Sequence, residues 1–327
     1  MKIGIQLTKN PEKYQYLLSE LKSNLQSENG MEFIHIPTNK ELIREIPNLE
    51  ILTTYYLGEE EFYKATDKLQ WVHFGNAGIE QSLHTSLLNS KTIITNAGGV
   101  HAGPVSEFVM GMMLYLAKQF KGCEKFKQER KWTQWELARK TIQLKSKTVG
   151  IIGFGALGKA VAKKAKAFDM KVIATRRLQK KVEHKKTVDE LIPVSQLDHL
   201  LKESDYVVVA CPLTPLTRNM IGKMQLSQMK PSAILINIAR GEIINETELI
   251  DALKSNTIAG AALDVFENEP LPKESPLFAL DNVFLSPHIS GNFPEYQQDV
   301  VVQFADNLNR YLSGKPLKNR VCKKRMY

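Results

Sequence analysis

Cysteine is scarce in this chain of 327 residues: Cys123, Cys211 and Cys322 stand far apart, with no CxxC pair. That spacing argues against a disulfide framework and against a cysteine zinc site, so a reducing, cytoplasmic compartment and no metal are expected. Long apolar runs are missing as well. No stretch approaches the roughly 18 residues of a membrane span, and the opening MKIGIQLTKN lacks a secretory apolar core and reads as a strand. A membrane is therefore not an expected partner. Helix-turn-helix spacing, zinc-finger patterns and RNP-like aromatic motifs are also absent, which leaves nucleic acid without a recognition element.

In bulk the chain is ordinary: 43% hydrophobic and 24% charged, near the average for a globular protein and unlike a disordered or collagen-like chain. Its length is about twice that of a typical single domain, so two domains are expected. The charge is uneven. Forty-four Lys and Arg against 35 Asp and Glu leave a net +9. Eleven basic residues lie between Lys159 and Lys186 against Asp169 and Glu183, and the tail from Lys315 adds six without an acid. A solvated lysine-rich face explains this plainly; a pocket for an anionic cofactor explains it more specifically.

Short apolar runs alternate with amphipathic segments, the pattern of parallel βα units. Strands are predicted over 2–7, 32–36, 50–53, 71–74 and 92–95, followed by a long apolar helix over 101–120. A basic segment through Trp132 and Trp135 has little apolar periodicity. A second series predicts strands over 148–152, 171–174, 206–210, 233–237, 260–264 and 282–285. Helices are expected over 158–168, 195–202, 223–228 and 246–255, the last capped by Asn245, with a final amphipathic helix over 294–312. Unbroken rather than alternating hydrophobicity suits sheets covered by helices on both faces. Two such series imply two lobes with a cleft between them, the usual place for a small-molecule site.

Gly150-Ile151-Ile152-Gly153-Phe154-Gly155-Ala156-Leu157-Gly158 is a GxGxxG run between a strand and a helix. Gly153 permits a tight turn, Gly155 lets the backbone approach a pyrophosphate, and Gly158 allows close helix packing. The helix start offers N–H groups and the positive end of its dipole. An NAD site typically has an acid about 20 residues further on, for the ribose 2′-OH. Here the next strand ends Ala174-Thr175-Arg176-Arg177, with Lys180 and Lys181 beyond. Guanidinium groups can bind a 2′-phosphate bidentately where a carboxylate would repel it, so NADP(H) is favoured over NAD(H).

Three further motifs each follow an apolar strand: Asn237-Ile238-Ala239-Arg240-Gly241, Asp264-Val265-Phe266-Glu267-Asn268-Glu269-Pro270 and Ser286-Pro287-His288-Ile289-Ser290-Gly291. Ligands bind at the carboxyl ends of strands in open α/β sheets. An arginine can clamp a 2-oxoacid carboxylate and polarise the keto oxygen. A histidine can exchange a proton with that oxygen, and a neighbouring carboxylate can orient the ring and favour its protonated form.

With these blocks, and with CPLTPLTRNMIG, the chain resembles the D-isomer-specific 2-hydroxyacid dehydrogenase family over essentially its whole length. The resemblance implies that Arg240, Glu269 and His288 are the catalytic residues, with Glu269 rather than Glu267 as the histidine's partner. It implies that the loop Gly75-Asn76-Ala77-Gly78 gives backbone N–H groups to the substrate carboxylate, so that Asn76, Ala77, Gly78, Arg240 and His288 bind substrate. It puts Asp264 against the nicotinamide carboxamide. Pro212, Thr217, Ile238, Ala239 and Gly291 join Gly153, Gly155, Ala156, Leu157, Gly158, Thr175, Arg176 and Arg177 along the cofactor.

The implied fold is α/β, with two Rossmann-like or flavodoxin-like doubly wound parallel sheets. The NAD(P)-binding domain, 100–289, is inserted into the substrate domain, 1–99 and 290–327. A homodimer is implied, with the helix around 105–120 near the contact. The expected activity is NADPH-dependent reduction of a small 2-oxoacid such as glyoxylate or hydroxypyruvate. Alternatives are NAD-dependent D-3-phosphoglycerate or D-lactate oxidation, and a non-catalytic, dinucleotide-sensing scaffold of the corepressor type. The continuation Asn292-Phe293-Pro294 after the histidine motif departs from the smaller residues of many relatives. It is expected to shape the substrate pocket.

Overall fold

Among residues 1–325, which the computed structural model describes, thirteen β-strands gather into two sheets. The chain divides into two compact units: Met1–His101 together with the segment from Phe293 onward, and Ala102–Asn292.

The first unit holds β1 (Lys2–Gln6), β2 (Glu32–His35), β3 (Ile51–Thr54), β4 (Trp71–Phe74) and β5 (Ile93–Asn96), all parallel in the order β2-β1-β3-β4-β5. This is the flavodoxin-like winding. Alternate strand residues feed two cores. Ile3, Ile51 and Trp71 pack with Val301, Phe304 and Leu308 on one face, while Leu52, Val72 and Ile94 pack with Leu42 and Ile46 on the other. The helix Pro11–Ser23 starts where the Asn10 side chain accepts the Lys13 N–H and proline takes the first helical position. It buries Tyr14, Leu17 and Leu21 against the helix Tyr296–Leu312.

The second unit carries β6 (Thr148–Ile152), β7 (Lys171–Arg176), β8 (Glu183–Lys185), β9 (Val188–Pro193), β10 (Tyr206–Val209), β11 (Ile234–Asn237), β12 (Gly260–Leu263) and β13 (Val283–Leu285). Their order is β13-β12-β11-β10-β6-β7-β9-β8, parallel except for β8. From β6 the chain winds outward through β7 to β9, then returns to β10 on the other side. The end of β6 is therefore a topological switch point, where doubly wound sheets bind ligands.

The first unit's helices Pro11–Ser23, Asn39–Glu45, Glu59–Phe62 and Thr85–Asn89 were not predicted, and the structure departs from the sequence expectation in three further places. The helix expected over 101–120 ends at Ala117, because Gln119 takes the left-handed conformation (φ 58°) before a second helix, Phe120–Glu129, begins. The tryptophan-bearing segment contains that helix and a short one, Gln134–Ala138. The pair β8–β9 was not anticipated: Val188, Leu191 and Ile192 are fully buried, but Asp189 and Glu190 interrupt their apolar run. No helix among the described residues is long and apolar enough to cross a membrane.

Candidate active site

The loop after β6 is shaped by what its glycines permit. Gly153 sits at φ +106°, and a Cβ there would come within 2.7 Å of the Cys211 backbone nitrogen. A Cβ on Gly158 would strike the Gly153 carbonyl oxygen, so the helix Ala156–Ala167 lies directly on the turn. At Gly155 a Cβ would meet nothing within 4 Å. The N–H groups of Ala156, Leu157 and Gly158 open the helix and have no acceptor among the described residues. Open space in front of unpaired N–H groups at the positive end of a helix suits a dinucleotide pyrophosphate.

Thr175, expected along the cofactor, is buried at the end of β7. Its hydroxyl accepts the Gly153 N–H at 3.3 Å and its carbonyl accepts the Phe154 N–H at 2.8 Å, so it braces the glycine loop. Arg176 and Arg177 follow, both exposed. No acid occupies the end of this strand. After β10, the Thr217 hydroxyl donates to the Pro212 carbonyl at 2.7 Å and accepts the Thr214 N–H at 2.8 Å, closing the 212–217 turn on itself. Cys211 opens that segment, and burial pushes its thiol up to about 12, so it stays an unreactive SH at neutral pH.

Arg240, Glu269 and His288 follow three neighbouring parallel strands, β11, β12 and β13. Strands lie about 4.8 Å apart, so the Arg240 and His288 strand ends stand about 10 Å apart. The Asn237 side chain shapes the arginine turn: its amide donates to the Arg240 carbonyl at 2.9 Å and its oxygen accepts the Ala239 N–H at 3.1 Å. Ile238 and Ala239 are buried beneath it.

His288 Nδ1 lies 2.7 Å from Glu269 Oε2. An ionised carboxylate only accepts, so Nδ1 carries a proton. Glu269 is held in turn by the Phe266 N–H on its other oxygen, at 3.0 Å. Glu267 lies on the same loop, and its N–H donates to Glu246 at 3.1 Å. His288 Nε2 has no partner among the described residues, and the side chain is about half exposed (48%). A ring fixed through one nitrogen and open at the other is arranged to give or take a proton there.

His288 itself adopts φ 55°, the left-handed region that a residue with a Cβ enters only at a cost. Asp264 supplies the restraint. It is fully buried and gives both oxygens to the chain. Oδ1 accepts from the Ser286 hydroxyl at 2.6 Å and from the Ile289 N–H at 2.9 Å; Oδ2 accepts from the Ser290 N–H at 3.0 Å. The histidine is thus clasped on both sides. Sequence reasoning missed this role, and also that of Ser286, although both residues lie in the quoted motifs. Gly291, expected at the cofactor, follows that clasped loop.

In the first unit, the loop Gly75-Asn76-Ala77-Gly78 follows β4. The N–H groups of Asn76, Ala77 and Gly78 have no acceptor among the described residues, whereas the Asn76 carbonyl accepts the Ala97 N–H at 3.0 Å and its side-chain amide donates to the Tyr55 carbonyl at 3.0 Å. Consecutive unpaired N–H groups on an anchored loop can receive a carboxylate. No group of three or more His, Cys, Asp or Glu among the described residues is placed to hold a metal.

The sequence profile of the D-isomer specific 2-hydroxyacid dehydrogenase NAD binding domain matches residues 110–290. The chain belongs to that family of nicotinamide-dependent oxidoreductases, and the matched residues lie in its second unit. Among its relatives, a glyoxylate reductase of Thermococcus litoralis is 34% identical over 290 residues, 87% of this chain and 80% of that protein. A D-3-phosphoglycerate dehydrogenase of Archaeoglobus fulgidus is 31% identical over 93% of this chain and 58% of that protein. The crystal structure of an NADPH-dependent glyoxylate/hydroxypyruvate reductase from Sinorhizobium meliloti, in complex with NADP and sulfate, superposes with a TM-score of 0.83. It is 26% identical, covering 100% of this chain and 99% of that one.

Proposed function

We propose that the protein is an NADPH-preferring reductase of small 2-oxoacids, with glyoxylate and hydroxypyruvate as substrates, forming the D-hydroxy acid where a stereocentre arises. The observation that carries the reading is His288, bound through Nδ1 to Glu269 and open at Nε2. The glyoxylate reductase relative and the NADP-bound reductase structure support the same chemistry.

When bound, the reduced nicotinamide supplies a hydride to the substrate carbonyl carbon. The other steps fall to side chains and backbone. The N–H groups of Asn76, Ala77 and Gly78 hold the carboxylate, Arg240 clamps it and draws electron density toward the keto oxygen, and His288 Nε2 donates the proton that makes the hydroxyl. Glu269 stabilises the imidazolium before transfer and keeps the remaining proton on Nδ1 afterwards. Gly153, Gly155 and the 156–158 N–H groups take the pyrophosphate, with Pro212, Thr217, Ile238, Ala239 and Gly291 along the rest of the cofactor. Arg176 and Arg177 take the 2′-phosphate, since a strand end without an acid offers that anion no repulsion.

A homodimer is part of the same reading. Phe120 and Trp135 on the two helices after Ala117, and Trp132 between those helices, leave large apolar side chains exposed, whereas Val105, Val109 and Met113 of the preceding helix are buried in their own unit. Sedimentation at micromolar concentration checks this: a species of twice the chain mass is expected, and a monomer contradicts it. Initial rates with glyoxylate and hydroxypyruvate, each with NADPH and with NADH at equal concentration, test the activity. Faster turnover with NADPH is expected; faster turnover with NADH would assign the two arginines to solvent and reopen the phosphoglycerate and lactate alternatives.

A further inference from the structure

Phe293 and Tyr296, just beyond the histidine motif, belong to the first unit, the unit that carries the Gly75–Gly78 loop. The Tyr296 hydroxyl donates to the Gly75 carbonyl. Its ring stacks on His101 at 4.6 Å between centroids and 20° between planes, and Phe293 meets it edge-on at 5.8 Å. Tyr55 lies parallel at 6.4 Å, and its own hydroxyl accepts from the Gln297 amide at 3.0 Å. The phenol is therefore held from several sides, and burial raises its pKa, so it remains a donor throughout the physiological range.

We propose that Tyr296 is a positioning residue for the substrate carboxylate, acting through the peptide plane between Gly75 and Asn76. That peptide is trans and planar, so its carbonyl and its N–H point in opposite directions. A hydrogen bond that fixes the Gly75 carbonyl thereby fixes the direction of the Asn76 N–H, the first of the three unpaired donors. The Asn76 carbonyl, tied to the Ala97 N–H, fixes the next plane and aims the Ala77 N–H by the same geometry. Preorganised donors bind an anion without first ordering themselves, which is the advantage of aiming them beforehand. The role concerns how the acid is held and leaves proton transfer to the second unit's His288. It also gives the unusual Asn292-Phe293-Pro294 continuation a function: it leads into the helix that delivers the phenol.

The proposal rests on the carboxylate-binding reading of the loop, and Tyr296→Phe tests it because the variant removes one hydroxyl and keeps the stacked ring. The KM for glyoxylate is expected to rise about five- to tenfold, the loss of roughly one net hydrogen bond, while kcat stays within about twofold and the KM for NADPH is unchanged. The Asn76, Ala77 and Gly78 N–H groups have no acceptor among the described residues, so their amide exchange reads the bound acid: 10 mM oxamate is expected to slow it more in the wild type than in the variant. Equal protection by oxamate in the two proteins would overturn the clamp; unequal protection with an unchanged KM would overturn its service to substrate. If the wild type reduces no 2-oxoacid, the assignment of activity fails on its own. The oxamate comparison then decides the proposal: greater protection in the wild type supports it, and equal protection overturns it.

Discussion

Replacing Asp264 by Asn should loosen the histidine loop while leaving its residues in place. The carboxylate accepts three hydrogen bonds, from the Ser286 hydroxyl, the Ile289 N–H and the Ser290 N–H. An amide of the same shape offers one oxygen and an NH2. With the oxygen kept at the Oδ1 position, the Ser286 and Ile289 bonds survive without their charge, and the buried Ser290 N–H faces another donor. An unpaired buried N–H costs about 1–3 kcal/mol, and losing charge assistance on two bonds costs about 1 kcal/mol more, so about 3 kcal/mol is expected in all. For a domain of this size that corresponds to a fall in Tm of about 6–12 °C. The loop also loses what holds His288 at φ 55°, a conformation that costs about 1–2 kcal/mol. Release of that restraint leaves the competent geometry populated about 5–30-fold less, and kcat should fall by that factor. Thermal unfolding of the cofactor-free variant and its turnover with saturating glyoxylate and NADPH read the two effects separately. Wild-type Tm together with wild-type kcat would refute the clasp. A raised KM for cofactor with both of those unchanged would assign Asp264 to the nicotinamide instead of the loop.

Converting both Arg176 and Arg177 to Ala should raise the KM for NADPH about 10–100-fold, the value of one or two charge-assisted hydrogen bonds to a phosphate, and leave that for NADH within about twofold; equal effects on both cofactors would contradict the phosphate site. Glu269→Gln should lower kcat about 10–100-fold with little change in cofactor KM, because the imidazolium loses its counter-charge; an unchanged kcat would remove Glu269 from the mechanism. His73 is fully buried and desolvation pushes its pKa down to about 3, against about 6.5 in an unfolded chain. Between those values the unfolded state binds the extra proton, so this residue's contribution is intact above pH 6.5 and is lost as pH falls toward 3, at about 1.4 kcal/mol per pH unit. The pH slope of stability between 6 and 4 should therefore be shallower by that amount in His73→Leu, and equal slopes would mean that the ring is hydrated or already charged.

Many of the buried strands were legible because they carry an unbroken apolar run, as at 148–152 and 206–210. β9 escaped because Val188, Leu191 and Ile192 are separated by Asp189 and Glu190, and those two acids pair with Lys166 and Lys171 from neighbouring elements. Such pairing depends on which strands become neighbours, and no local pattern records it. The end of the long helix was hidden for a similar reason: a left-handed Gln119 has no signature as strong as a glycine. At the site, a carboxylate beside the histidine was readable from residue types in strand-end motifs, and the family resemblance chose Glu269 over Glu267 as that partner. The Asp264 clasp and the Tyr296 clamp were not readable. Each joins residues whose proximity is set by sheet register or by a helix returning to the first unit after more than 200 residues of chain.

The most direct measurement is turnover of glyoxylate with NADPH by the wild-type protein and by His288→Ala, paired with NADPH affinity from the fluorescence of the bound cofactor. The wild type should consume NADPH in step with the oxoacid. The variant should lose at least about 10²-fold in kcat, the contribution of a positioned general acid, while its affinity for NADPH stays within about threefold. A variant that reduces glyoxylate at the wild-type rate would contradict the assignment of His288 as the proton donor, and with it the account of the site.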